Sequence, residues 1–225
     1  SGGKASTANL FYNNARRQVG LVGHWDVVAF DEVGGMKITD PDAVQIMKDY
    51  MANGRFSRGV TQVLADASLV FIGNLNQPVE SLVQNSATDL FQPLPKEFDL
   101  ALLDRMHFYL PGWEVPKNSK DMLTVHYGFV TDYLAEAFRA LRKQNRFDEA
   151  ERVFRFGSHV EGRDATATKK TVSGLLKILH PGGGWTKEEL TEYVELAMEG
   201  RRRVKEQLKK RGSFEFYKTS FSYID

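Results

Sequence analysis

The chain has 225 residues, 42% of them hydrophobic and 26% charged, a composition that fits a soluble globular protein and excludes charge-driven disorder and any bilayer-spanning apolar run. Thirty Lys and Arg against 29 Asp and Glu leave a formal net charge of +1, so a nucleic-acid or acidic partner would have to be met by a local patch. With no cysteine, disulfides and thiolate metal sites are excluded, which fits a reducing compartment, and the cytoplasm is the expected location.

The opening residues, Ser1 to Thr7, have neither the apolar core of a signal peptide nor the Arg-rich amphipathic character of a transit peptide. Residues 7–17 carry Leu10, Phe11 and Ala15 at helical spacing, which predicts a helix before the Gly20-Leu-Val-Gly23 break. Val27 to Phe30 is a continuous apolar run that predicts a strand buried on both faces of a parallel sheet, with Asp31 and Glu32 at its C-terminal end. Pro41 to Met51 reads as a helix capped by Asp40, with Ala43, Val44, Met47 and Met51 near one face and a stop at Asn53-Gly54. A hairpin is predicted from 55–60 and 62–65, followed by a second buried strand, Leu69 to Ile72, tipped by Gly73-Asn74. Helices alternating with buried strands predict a doubly wound α/β sheet whose ligands gather at the C-terminal strand ends.

From Leu123 the pattern becomes helical, over 125–142, 147–154, 165–179 and 187–210, broken by Gly157 and by Pro181-Gly-Gly-Gly184. With a boundary near 116–121, the chain divides into an α/β core over 1–118, a small all-helical part over 119–212, and a strand-like tail over 213–225 that begins a next domain or a linker.

Four strand hydrophobics followed by Asp-Glu are what a Walker B segment requires. One carboxylate sits at Mg²⁺, usually through water, and the next lies beside the attacking water, which gives Asp31 the metal role and Glu32 that of the base. Asn74, at the end of the following core strand, supplies an amide that can orient the lytic water, with Asn76 as the nearby alternative. Arg105, between a leucine-rich helix end and the apolar run Met106 to Leu110, can serve as an arginine finger on a neighbour's nucleotide or form a surface salt bridge with Asp104 or Asp99.

The order VVAFDE, GRFSRG, LVFIGN, LLDRMHFYLPGW and a helical lid containing KTVSGLLK resembles, along essentially the whole chain, the Lon-like AAA+ ATPases of bacterial BREX phage-defence systems. The resemblance implies a partial AAA+ P-loop-type parallel core followed by the helical lid. It also implies ATP and Mg²⁺ as cofactors, a hexameric ring, and a polymer substrate, protein or DNA. Carried over by position, Asp31 and Glu32 look like Walker B, Asn74 like sensor 1 and Arg105 like the arginine finger. Arg163, after Gly162 at the start of a lid helix, looks like the basic sensor 2 residue, with Lys169 or Lys170 as alternatives.

The departures matter too. No GxxxxGKS/T phosphate loop occurs, and Gly3-Lys4-Ala5-Ser6 has Ala5 where the Mg²⁺-binding hydroxyl belongs. In the family that loop lies upstream and a protease-like Ser-Lys domain downstream, so the sequence reads as a fragment expected to be inactive alone and to bind ATP weakly. Residues 1–6 fall where the resemblance puts a pore-facing loop. The turn around Phe56 with Arg55 and Arg58 resembles the DNA-engaging hairpin of MCM-type helicases, since cations beside an aromatic suit a phosphate-tracking surface. The basic run 201–211 after the acidic stretch 188–199 reads as the solvated face of a long amphipathic helix, and the five histidines have no ligand spacing. The expected function is ATP hydrolysis in a ring that moves a polymer in phage defence, with a non-catalytic DNA-binding or scaffolding module as the alternative.

Overall fold

In the computed structural model, which describes residues 6–38, 40–58, 61–84, 87–160, 162–212 and 214–224, Ser6 caps a one-turn helix, α1 (Thr7–Leu10), its Oγ accepting from the Asn9 N–H at 3.2 Å. The predicted helix to Arg17 does not continue. Asn13 Oδ1 takes the Arg16 N–H at 3.1 Å, and the chain doubles back as β1 (Tyr12–Asn13) against β2 (Gln18–Val19). Gly20 closes this turn against α1, where a Cβ would lie 2.5 Å from the Asn9 carbonyl oxygen.

The chain divides by its contacts into two compact units, Ser1–Arg105 with Glu206–Tyr217, and Met106–Lys205 with Lys218–Asp225. In the first unit β3 (Val27–Phe30) leads to α2 (Pro41–Asn53). Asp40 caps α2 by accepting from the Asp42 N–H at 3.0 Å, and Gly54 ends it at φ +65°, a left-handed conformation that favours glycine. The predicted hairpin forms as β4 (Arg55–Arg58) against β5 (Thr61–Leu64). Then come β6 (Ser68–Phe71), α3 (Val79–Gln84) and the short α4 (Leu100–Leu103).

β3 and β6 pair in parallel with Val27 opposite Ser68 and Phe30 opposite Phe71, so the expected parallel crossover is present as a small two-stranded sheet. Burial on both faces is not: Val28 is buried, but Val27, Val70 and Ile72 are 53%, 41% and 47% exposed. Side chains alternate across a strand, and among the described residues only one face of this pair meets the unit's core. That core runs through Phe11, Tyr50 and Phe56, whose rings meet edge to face, and Phe71 joins Phe98 in the same way at 5.4 Å.

The second unit holds α5 (Thr131–Arg142), α6 (Phe147–Glu151), β7 (Arg155–Phe156), α7 (Gly162–Leu179), the part of α8 (Lys187–Lys210) up to Lys205, and β8 (Tyr223–Ile224). It is not all-helical. β7 pairs antiparallel with β8, and Phe154 and Tyr223 beside them pack edge to face at 5.3 Å. The core of this unit is Phe154, Val160, Val172, Leu176, Leu190 and Val194 with their neighbours. The helix predicted from residue 125 begins only at Thr131. Together the units make a mixed α/β chain with a small parallel sheet and several helices. Among the described residues, no helix is long and apolar enough to cross a membrane.

Candidate active site

Asp31 and Glu32 are both exposed at the C-terminal end of β3. Asp31 Oδ1 accepts from the Glu32 N–H at 3.0 Å, and Glu32 adopts φ 52°, ψ 50°, a left-handed conformation that costs a non-glycine residue about 1–2 kcal/mol. Such strain held at a strand end is characteristic of sites where a side chain must be aimed. Among the described residues no ion pair neutralises either carboxylate.

The neighbouring strand end is clamped to this one. The Ile72 N–H donates to the Phe30 carbonyl at 2.8 Å and the Val33 N–H to the Ile72 carbonyl at 3.0 Å, so the two loops leave the sheet side by side. Gly73 makes the approach possible, since a Cβ there would lie 2.7 Å from Pro93 Cβ and 2.9 Å from Val33 Cγ2. Asn74 follows, exposed on the same end of the sheet as Asp31 and Glu32, as does Asn76. Gly73→Ala is therefore expected to cost about 1–3 kcal/mol in thermal or urea unfolding by overpacking against Val33 and the proline ring.

Arg105 follows α4, which Asp99 caps by accepting from the Leu102 N–H at 2.9 Å and which Leu102 and Leu103, both fully buried, anchor. Its Nη1 donates back to the Ala101 carbonyl, and its Nε is buried without a hydrogen-bond partner among the described residues. Burial alone would raise the Asp99 carboxyl, but the Lys48 and Leu102 hydrogen bonds and the charges of Lys48 and Arg105 hold it below the usual range. The guanidinium thus lies folded back on its own helix.

Arg163, Lys169 and Lys170 lie on the N-terminal half of α7 in the second unit. Arg163 is exposed in the first turn, after Gly162 at φ +53°, whereas Lys169 is paired with Glu151 and sits over the Phe156 ring. Lys170 has its ammonium pushed below the ordinary lysine range by desolvation.

The family described as the ATPase domain of the Lon-like protease BrxL matches residues 1–222. The chain belongs to this BrxL-like ATPase domain family. It is 53% identical over 227 residues to the Lon-like protease BrxL of Bacillus cereus (strain H3081.97), and 54% identical over 226 residues to that of Escherichia coli O9:H4 (strain HS). Both matches cover the whole of this chain, which spans 33% and 32% of those relatives' lengths.

In this BrxL-like domain the hairpin that carries Arg55 and Arg58 is partly committed to the fold. Phe56 is 2% exposed and packs on Phe11, so it is closed to stacking on a base. Arg58 donates to the Tyr12 carbonyl at 2.9 Å and faces Asp40 at 3.8 Å, while Arg55 is exposed. The turn residues 59–60 and residues 1–5 of the predicted pore loop over 1–6 lie outside the described residues, and Ser6 caps α1.

The basic run of α8 is not a solvated face. Arg201 is fully buried and Lys205 is 6% exposed; Arg201 Nε donates to Asp164 Oδ1 at 2.7 Å, and Lys205 lies 3.4 Å from the same oxygen. The sequence carried a signal for this. Leu190, Val194, Ala197 and Met198 set a buried stripe that continues through 201, 204, 205 and 208 at helical spacing. His107, in the same unit, is half-buried, and its desolvation, with Lys170 and Arg201 nearby, pushes its imidazole down to about 4 from an ordinary 6.5. Between those values the unfolded chain holds a proton that the folded chain refuses. The contribution of His107 is complete above about pH 6.5 and lost as pH falls toward 4, by at most about 3 kcal/mol. Urea midpoints of the wild type should fall across that window, and His107→Gln should flatten the slope.

Proposed function

We propose that this chain is the acid-bearing part of an AAA+ ATPase domain that hydrolyses ATP in a hexameric ring. Asp31 would hold the magnesium ion, Glu32 would accept the proton of the attacking water, Asn74 would orient that water, and Arg105 would reach the nucleotide of the neighbouring subunit. The observation that carries this reading is the pair of backbone bonds, Ile72 to Phe30 and Val33 to Ile72, which bring the Asp31-Glu32 and Asn74 loops out together at one end of a parallel pair.

The carboxylates fit a magnesium site: an exposed oxygen donor with no cation paired to it suits an ion that keeps most of its waters and binds through one carboxylate and the nucleotide phosphates. When bound, the ion neutralises charge on the transferring phosphoryl group. Glu32, one residue further, is free of ion pairs among the described residues and so available as a base. Arg163 is the second-unit cation assigned to the phosphates, with Lys170 preferred to Lys169 as its alternative because Lys169 is engaged with Glu151. With no GxxxxGKS/T loop in residues 1–225, these residues alone are proposed to be inactive.

The name of the relatives, Lon-like protease, supports a protein polymer as the substrate, while exposed Arg55 at the hairpin base supports contact with DNA; action in phage defence and in the cytoplasm is proposed from the family resemblance. ATP turnover by the intact protein and by its Glu32→Gln variant tests the assignment. Undiminished turnover in the variant removes Glu32 as the base and favours a scaffolding role for this end of the sheet.

A further inference from the structure

We propose that Arg201 is a positioning residue that fixes the backbone immediately after each of the two phosphate-directed arginines, Arg105 and Arg163. The inference rests on the ATPase reading above and adds a residue that neither the strand-end motif nor the lid pattern contains.

The second unit carries the observations. Arg201 is fully buried, with Nε donating to Asp164 Oδ1 at 2.7 Å and Nη1 to the Met106 carbonyl at 2.5 Å. Asp164 is the residue after Arg163, and Met106 the residue after Arg105. One planar guanidinium therefore holds both neighbours at once. Lysine has a single ammonium on a flexible stem and cannot reproduce that fork.

The Met106 end is held by more than this one bond. The Tyr109 N–H donates to the Gly200 carbonyl at 3.1 Å, and the Phe108 ring lies so close to Gly200 that a Cβ there would sit 2.1 Å from a ring carbon. Glycine inside a 24-residue helix weakens the helix, and here the missing side chain admits the 106–109 segment onto α8. A shift at Gly200, or loss of the Met106 bond, is passed along the 106–109 segment to Arg105, whereas the bond to Asp164 serves the first turn of α7, where Arg163 stands. Because a misplacement of about 1 Å in a catalytic group costs about a hundredfold in rate, a buried group of this kind affects turnover without touching nucleotide.

The test is a double-mutant cycle on ATP turnover in the intact protein. Arg201→Lys keeps the charge beside Asp164 but loses the second bond, and is expected to lower kcat about ten- to a hundredfold. In an Arg105→Ala background the same change should lower kcat less than about twofold, because the group it positions is gone. Lys205→Met, which removes a contact to Asp164 and leaves the Met106 bond in place, should act equally in both backgrounds. Gly200→Ala runs the same cycle without altering charge, and covers the case in which Arg201→Lys does not fold. Wild-type kcat for Arg201→Lys, or an undiminished loss in the Arg105→Ala background, overturns the proposal. So does failure of both variants to fold, which makes the cluster a folding element. If Arg105→Ala itself leaves turnover unchanged, the underlying assignment of the finger fails, a result distinct from the others.

Discussion

Glu32→Gln in the intact protein is expected to lower ATP turnover by about 10²–10⁴-fold while nucleotide binding is retained. The amide keeps the shape and hydrogen-bonding reach of the side chain but cannot accept the proton of the attacking water. Binding is spared because the residue sits at the strand end beside Asp31 and makes no ion pair among the described residues. The left-handed backbone at Glu32 depends on the local turn and not on the carboxylate, so the substitution should not disturb the clamp between Val33 and Ile72. Retained binding with turnover lost, read by nucleotide titration and steady-state phosphate release, is the expected pair of results. Loss of binding together with turnover would mean that Glu32 holds the nucleotide or its ion.

Arg105→Ala should have an effect at least as large, about 10³–10⁵-fold in kcat, with ATP affinity near that of the wild type. Folded back on the Ala101 carbonyl, with its Nε buried and without a partner among the described residues, the guanidinium is poised at the end of a short helix whose two leucines are fully buried. That rigid mount suits an arginine finger, and the buried, unpaired Nε gives the side chain reason to leave its resting place when an anionic partner is presented. A finger acts across a subunit boundary, so mixing two inactive proteins, Glu32→Gln and Arg105→Ala, should restore part of the turnover at interfaces that join an intact Glu32 to an intact Arg105. Unchanged turnover in Arg105→Ala would remove it as the finger, and mixed assemblies without any recovery would place its action within its own subunit.

Much of this was legible in the residues. The helix over Pro41–Asn53 with its Asp40 cap and Gly54 stop, the hairpin after it, the long helix over Lys187–Lys210, and the parallel pairing of the two apolar runs are all written locally, in caps, turn residues and periodicity. The strand-end acids and Asn74 were legible for the same reason. Less so were the early stop of α1, where an Asn side chain competes successfully with the helix for the Arg16 N–H, and the short α5, because apolar spacing does not reveal where packing ends.

What the sequence determined by itself is therefore the family, the main helices and strands of the first unit, and the position of the candidate residues Asp31, Glu32 and Asn74 at strand ends, since each depends on near neighbours in the chain. Tertiary structure alone decided which face of β3 and β6 is covered, that Phe56 points into a core, and that Arg105 lies against its own helix. It decided above all which groups receive Arg201: the helical stripe marks the position as buried, but not that its guanidinium lies between Asp164 and the Met106 carbonyl. The partners of a buried charge lie 37 and 95 positions away, and a separation of that size leaves no local trace.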